Sequence, residues 1–76
     1  MQELVEYMAK ALVDHPDEVQ VRTVEGEKSL IFELKVDPTD MGKVIGRRGR
    51  IARAMRTVVK TAGGHTGKLV HVEILD

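Results

Sequence analysis

Apolar and polar positions alternate along the chain with two different periods. Leu4, Met8, Ala11 and Leu12 recur at three- and four-residue spacing among polar neighbours, which predicts an amphipathic helix over residues 2–13 with that stripe turned to the core. Asp14-His15-Pro16 ends it, because proline cannot continue a helix and pushes the residue before it towards extended backbone. The period then drops to two. Val19, Val21 and Thr23 alternate with Gln20 and Arg22, and Leu30, Phe32, Leu34 and Val36 alternate with Ile31, Glu33 and Lys35, the pattern of two half-buried strands. Glu25-Gly26-Glu27-Lys28 between them is short, polar and glycine-bearing, so the strands are expected to pair as an antiparallel hairpin.

A helical period returns after Asp37-Pro38-Thr39-Asp40. Asp37 has the chemistry of an N-cap, Pro38 fills a first position where its missing N–H costs nothing, and Asp40 places an acid in the first turn. The short helix that follows is expected to end at Gly46. Beyond Gly49, Ile51, Ala54, Met55, Val58, Val59 and Ala62 mark an apolar face and Arg50, Arg53, Arg56 and Lys60 a basic one, until Gly63-Gly64 stops the helix. Residues 69–75 read as a closing strand with Val70, Val72 and Ile74 inward. The order is α-β-β-α-α-β. An α+β fold with a three-stranded mixed sheet and three helices packed on one face buries each of these stripes. Residues 1–76 form a single domain, since a chain of 76 residues cannot support two cores.

Charge changes the picture more than composition does. The formal net charge is zero, which by itself argues against a polyanion partner. Residues 1–40, however, hold ten acidic and four basic side chains, whereas residues 41–72 hold eight basic and no acidic ones. A one-sign local field steers a polyanion to one face of a neutral molecule. At the centre of the basic segment stands Val44-Ile45-Gly46-Arg47-Arg48-Gly49-Arg50-Ile51. Glycines permit a tight turn and a close main-chain approach. Where such a turn opens a helix, unpaired N–H groups and the positive end of the dipole favour an anion, to which Arg47 and Arg48 add formal charge. The same glycines also suit ordinary helix ends, and a basic helix face such as Arg53, Arg56 and Lys60 can be merely solvated. Met8 and Met55 suit either a core or a subunit interface.

Inside this order of elements, Gly42-Lys43-Val44-Ile45-Gly46-Arg47-Arg48-Gly49-Arg50-Ile51-Ala52 together with Asp37-Pro38 and the closing strand resembles the type II KH domain of prokaryotes. With nothing appended, the chain is similar to the small stand-alone bacterial KH-domain proteins of the KhpA family. The resemblance spans essentially the whole chain and implies a GXXG loop that clamps the backbone of about four single-stranded nucleotides. It casts Gly46 and Gly49 as the point of close approach and Arg47 and Arg48 as phosphate ligands. Lys43, Arg50 and Arg53 would widen the positive rim, and Val44, Ile45 and Ile51 would form the apolar surface beneath the bases, whose edges main-chain groups across the groove would read. Many KH domains carry a large aliphatic residue where this chain has Ala52, so Ile51 is expected to take that role. Tyr7 and Phe32 are the only aromatic residues, too few for stacking platforms, which implies modest base discrimination.

The resemblance also implies RNA-chaperone-like or post-transcriptional regulatory work, with links to cell shape and cell-wall biogenesis. It implies a homodimer, or a heterodimer with a larger KH-domain RNA-binding protein. A single small site gains from such pairing, because linked sites raise avidity by about 10²–10⁴. A protein-interaction or ribosome-associated module is the alternative reading.

Other chemistries find little support. The chain has no cysteine, hence neither disulfide nor thiolate metal site, which suits a reducing cytoplasm. His15, His65 and His71 are scattered, Ser29 is the only serine, and no nucleophile–base pair emerges. Gly42-Lys43 is followed by Val44 rather than the hydroxyl residue of a P-loop. The expectation is therefore no enzyme, cofactor, metal or small-molecule substrate. Met1 to Tyr7 lacks the blocks of a signal peptide, and no apolar run approaches the roughly 18 residues of a membrane span, so a cytoplasmic protein is expected.

Overall fold

The computed structural model describes residues 1–76. Its elements run α1 (Gln2–Leu12), β1 (Gln20–Glu25), β2 (Ser29–Lys35), α2 (Met41–Ile45), α3 (Arg50–Ala62) and β3 (Leu69–Ile74). Short 3₁₀ turns at Pro16–Glu18, Pro38–Asp40, Arg47–Gly49 and Gly64–Thr66 join them. The sheet order is β1-β2-β3, with β1 antiparallel and β3 parallel to β2. Parallel pairing needs a long crossover, and α2 and α3 supply it. The hairpin between β1 and β2 closes where Gly26 N–H donates to the Ser29 carbonyl at 2.8 Å.

Period-two alternation decides which face of the sheet is covered. Leu30, Phe32, Leu34 and, just beyond the strand, Val36 are buried on β2, as are Val70 and Val72 on β3. Because neighbouring residues of a strand point to opposite faces, the other face carries Gln20, Arg22, Glu33, Lys35, His71 and Glu73. There Arg22 Nε meets Glu33 Oε1 at 3.0 Å across the β1–β2 register. The three helices pack on the apolar side, where Val5, Ala9, Val44, Met55 and Val59 complete one core around Phe32 and Leu34.

Two helices sit rotated from the expected orientation. On α1 the buried residues are Val5 and Ala9, while Ala11 and Leu12 are exposed. On α3 they are Ala52, Met55 and Val59, while Ala54 and Val58 are exposed. Each helix carries apolar residues over more than one stripe, so periodicity defines an apolar sector wider than the part the sheet covers. The surplus meets along a shallow groove between α1 and α3, lined by Tyr7, Met8, Ala11, Leu12, Ile51 and Val58 among others.

The helix expected to run on from Pro38 begins as a single 3₁₀ turn before α2. Asp37 caps it as expected, accepting from Thr39 N–H at 2.9 Å. No helix is long and apolar enough to cross a membrane.

Candidate nucleic-acid interface

The junction of α2 and α3 is built by backbone torsions that side chains resist. Gly46 N–H closes α2 on the Gly42 carbonyl at 2.9 Å, and Gly46 itself has φ 75° and ψ 171°. That combination is essentially reserved for glycine. A Cβ there would lie 2.6 Å from Ile51 Cγ1 and 2.9 Å from the Ile51 nitrogen. Arg48 follows at φ 58°, ψ 25°, and Gly49 at φ 73°, ψ 16°. Gly49 N–H returns to the Gly46 carbonyl at 3.1 Å. The turn thus holds a non-glycine residue in the left-handed region, a strain typical of functional turns. Arg53 Nη2, 3.4 Å from the Arg48 carbonyl, braces the turn from the first turns of α3.

Arg47, Arg48, Arg50 and Arg53 are all exposed, and no carboxylate pairs with any of them. The four guanidiniums surround the mouth of α3, where the helix dipole already favours an anion. Arg is suited to bidentate contact with phosphate oxygens.

Two expected contributors, Val44 and Lys43, stand elsewhere, and Ile51 is only partly exposed. The Val44 side chain is fully buried in the core, because the short helix α2 turns that position to α1 and α3, so it cannot underlie a base. Ile51 is partly exposed, packs on Gly46 and lines the α1–α3 groove. Ala52 itself is buried. Of the apolar trio only Ile45 is exposed beside the turn. Lys43 is no free cation either: its Nζ lies 3.1 Å from Asp14 Oδ2 and 3.6 Å from Asp40 Oδ1. Its ammonium is held above its ordinary pKa, chiefly by the hydrogen bond and charge of Asp14.

Asp40, expected only as an acid in a first helical turn, is the one buried charged residue. Its oxygens accept from Asp14 N–H at 3.3 Å, from His15 N–H at 3.0 Å and from His15 Nδ1 at 3.0 Å. A buried carboxylate persists only when such donors replace water. Burial pushes its pKa up, but the His15 side chain and the two main-chain donors outweigh burial and hold it below the usual carboxylate range. His15 is held above the usual histidine value, chiefly by its hydrogen bond to Asp40. The cluster ties the α1–β1 connection to the start of α2 and so anchors the base of the arginine turn. Its only sequence signal is the three-residue spacing of Asp40 and Lys43.

Across from α3, Arg56 Nε donates to the Val72 carbonyl on β3 at 3.1 Å. Val72 is 1% exposed. The main-chain groups expected to read base edges are therefore covered at this residue by an arginine.

This chain and its fold have relatives. A profile of the family described as KhpA/KhpB, KH domain, matches residues 2–74. The chain is 61% identical over 75 residues to the RNA-binding protein KhpA of Clostridium acetobutylicum, covering 99% of this chain and all of that protein. It is 54% identical over 74 residues to the RNA-binding protein KhpA of Borreliella burgdorferi, covering 97% of this chain and 90% of that one. The RNA-binding protein KhpA of Aquifex aeolicus is 51% identical over 76 residues, covering 100% and 96%. Among solved structures, Era bound to MgGDPNP and a fragment of 16S ribosomal RNA superposes on 95% of this chain with a TM-score of 0.64 at 21% identity. A GDP·AlF4-bound Era variant from Aquifex aeolicus does so with a TM-score of 0.63 at 20% identity. The chain spans only 28% of each Era protein, and at that identity the likeness is one of fold, the type II KH arrangement. Matched from its first helix to its last strand by the family profile and by full-length relatives, the chain belongs to the KhpA/KhpB KH-domain family.

Proposed function

We propose that the chain binds single-stranded RNA, with the Gly46-Arg47-Arg48-Gly49 turn gripping the sugar-phosphate backbone and the strand running from there along α3 beside β3. The observation that carries this reading is the set of four exposed, unpaired arginines around a strained turn at the mouth of a helix. The relatives' names, RNA-binding protein KhpA, support it. Arg47 and Arg48 are the phosphate ligands, Gly46 and Gly49 admit the backbone, and Arg50 and Arg53 extend the positive rim. Phosphate contacts position a strand and carry no sequence information directly. The chain acts in the cytoplasm as an RNA chaperone or post-transcriptional regulator, without catalysis of its own.

A site of this size binds weakly and salt-dependently, each phosphate contributing about −0.7 to the slope of log K against log salt. Pairing with a second copy or with a larger KH-domain protein offsets that weakness. The α1–α3 groove supports such pairing: Tyr7 is 74% exposed and Val58 46%, both on an apolar surface.

The test is fluorescence anisotropy with a labelled single-stranded oligonucleotide and the Arg47→Asp/Arg48→Asp variant. Loss of binding with an unchanged circular dichroism spectrum is expected. Undiminished affinity in the folded variant refutes the clamp. Val58→Glu, assayed by sedimentation, is expected to abolish self-association while leaving the fold intact.

A further inference from the structure

The parallel pairing of β3 determines which of its main-chain groups face away from the sheet. Leu69 N–H donates to the Lys28 carbonyl at 2.9 Å and Leu75 N–H to the Leu34 carbonyl at 2.8 Å. Odd-numbered residues of β3 therefore turn their peptide groups to β2. The alternate residues Val70, Val72 and Ile74 turn theirs to the free edge. An uncovered edge invites strand addition and offers both donors and acceptors. Here the middle of that edge is covered, since Arg56 Nε occupies the Val72 carbonyl at 3.1 Å and Val72 is almost wholly buried.

Arg56 is nonetheless exposed and has no carboxylate partner. With Nε committed to the strand, both terminal nitrogens keep their N–H groups for another acceptor. The bond from Nε to β3 orients the guanidinium, whose remaining N–H groups form a fork that only donates. Arg56 follows Gly49 by seven residues, which is two helical turns, about 10 Å farther along the same side of α3. That distance falls within the stretch of about four nucleotides a GXXG turn engages.

We propose that Arg56 is a specificity-determining residue, whose guanidinium, seated on the Val72 carbonyl, reads one base of the bound strand and favours guanine over adenine. The proposal rests on the preceding reading that single-stranded RNA lies along this side of α3. Guanine presents O6 and N7 as adjacent acceptors to an arginine fork, whereas adenine sets its amino group in place of O6 and opposes donor to donor. The Val72 carbonyl, an acceptor the adenine amine could otherwise seek, already accepts from Arg56 Nε. Discrimination by such a pair is about 5- to 150-fold in buried sites, and the exposure of Arg56 places the expected value near the lower bound.

The experiment is anisotropy on the full chain with labelled eight-nucleotide uridine oligomers carrying one guanine or one adenine at each internal position. Guanine is expected to bind about fivefold more tightly than adenine at one position. Arg56→Gln should abolish or invert that ratio, because glutamine pairs with the adenine N6/N7 edge. Arg56→Lys, whose ammonium still donates to O6 and N7 but lacks the planar fork, should weaken it while preserving the salt slope. A guanine preference that survives both substitutions overturns the proposal. So does a uniform loss of affinity for every oligomer with a salt slope shallower by about 0.7, the signature of a phosphate contact. Absence of binding to any oligomer by the unmodified chain instead overturns the RNA-binding reading, so the two failures are distinguishable.

Discussion

Replacing Gly46 by alanine tests the architecture of the arginine turn with no change of charge. At φ 75° and ψ 171° an added Cβ enters backbone space that costs about 1–3 kcal/mol for a non-glycine residue. It also lands 2.6 Å from Ile51 Cγ1 and 2.9 Å from the Ile51 nitrogen. A side chain can swing aside, but the nitrogen belongs to the first turn of α3 and moves only with the helix. Overpacking of that kind adds about 1–3 kcal/mol, for a total of about 2–6 kcal/mol. A chain of 76 residues has roughly 4–11 kcal/mol to lose, at about 0.05–0.15 kcal/mol per residue. Gly49→Ala is the internal control: its φ of 73° and ψ of 16° are left-handed, but nothing lies within 4 Å of the added carbon. It should cost only the left-handed penalty of about 1–2 kcal/mol. Arg48→Gly, at φ 58°, relieves strain and should be neutral or stabilising by up to about 1 kcal/mol. Urea denaturation followed by circular dichroism measures all three. Equal losses for Gly46→Ala and Gly49→Ala, within about 0.5 kcal/mol, would refute the steric argument.

Lys43→Ala should change RNA affinity less than twofold, because its ammonium already serves Asp14 and Asp40; a loss comparable to that of Arg47→Ala in the same anisotropy assay contradicts this. The His15–Asp40 pair sets a pH window. His15 is raised above the unfolded value of about 6.5, so its contribution to stability is complete below that value and fades as pH rises through the folded pKa. Asp40 is lowered from the usual carboxylate value, so its contribution is present above that value and is lost as pH falls through the folded pKa. Melting temperatures of His15→Ala and the unmodified chain should therefore converge from pH 6 to pH 9, and parallel curves would discredit the pairing. In Asp40→Asn, the His15 ring protons followed by NMR should titrate at lower pH than in the unmodified chain. Val59→Ala, in the fully buried core, should cost about 2–4 kcal/mol by the loss of two methyl groups and the cavity left behind.

The element order, the hairpin, the Asp37 cap and the glycine-arginine turn were legible because each depends on local chemistry. Strand alternation named Leu30, Phe32 and Leu34, and all three are buried. Helix rotation was less legible, since α1 and α3 carry more apolar surface than the sheet can cover. Val5 and Ala9 face the core where Leu4, Ala11 and Leu12 were expected with Met8. In the basic segment, sequence alone could not separate paired cations from unpaired ones: Lys43 is neutralised by residues three and twenty-nine positions away, while Arg47, Arg48, Arg50 and Arg53 are not.

By itself, then, the sequence determined the fold class, the family resemblance and the place of the turn, all of which are written in residue type and spacing over a few neighbours. Only the tertiary structure decided which charges remain available, that Val44 serves packing, that Asp40 is the buried anchor beneath the turn, and that Arg56 closes the edge of β3. The physical reason is that charge pairing, burial and main-chain access depend on distances across the fold, and chain separation carries no information about those until the helices have settled on the sheet.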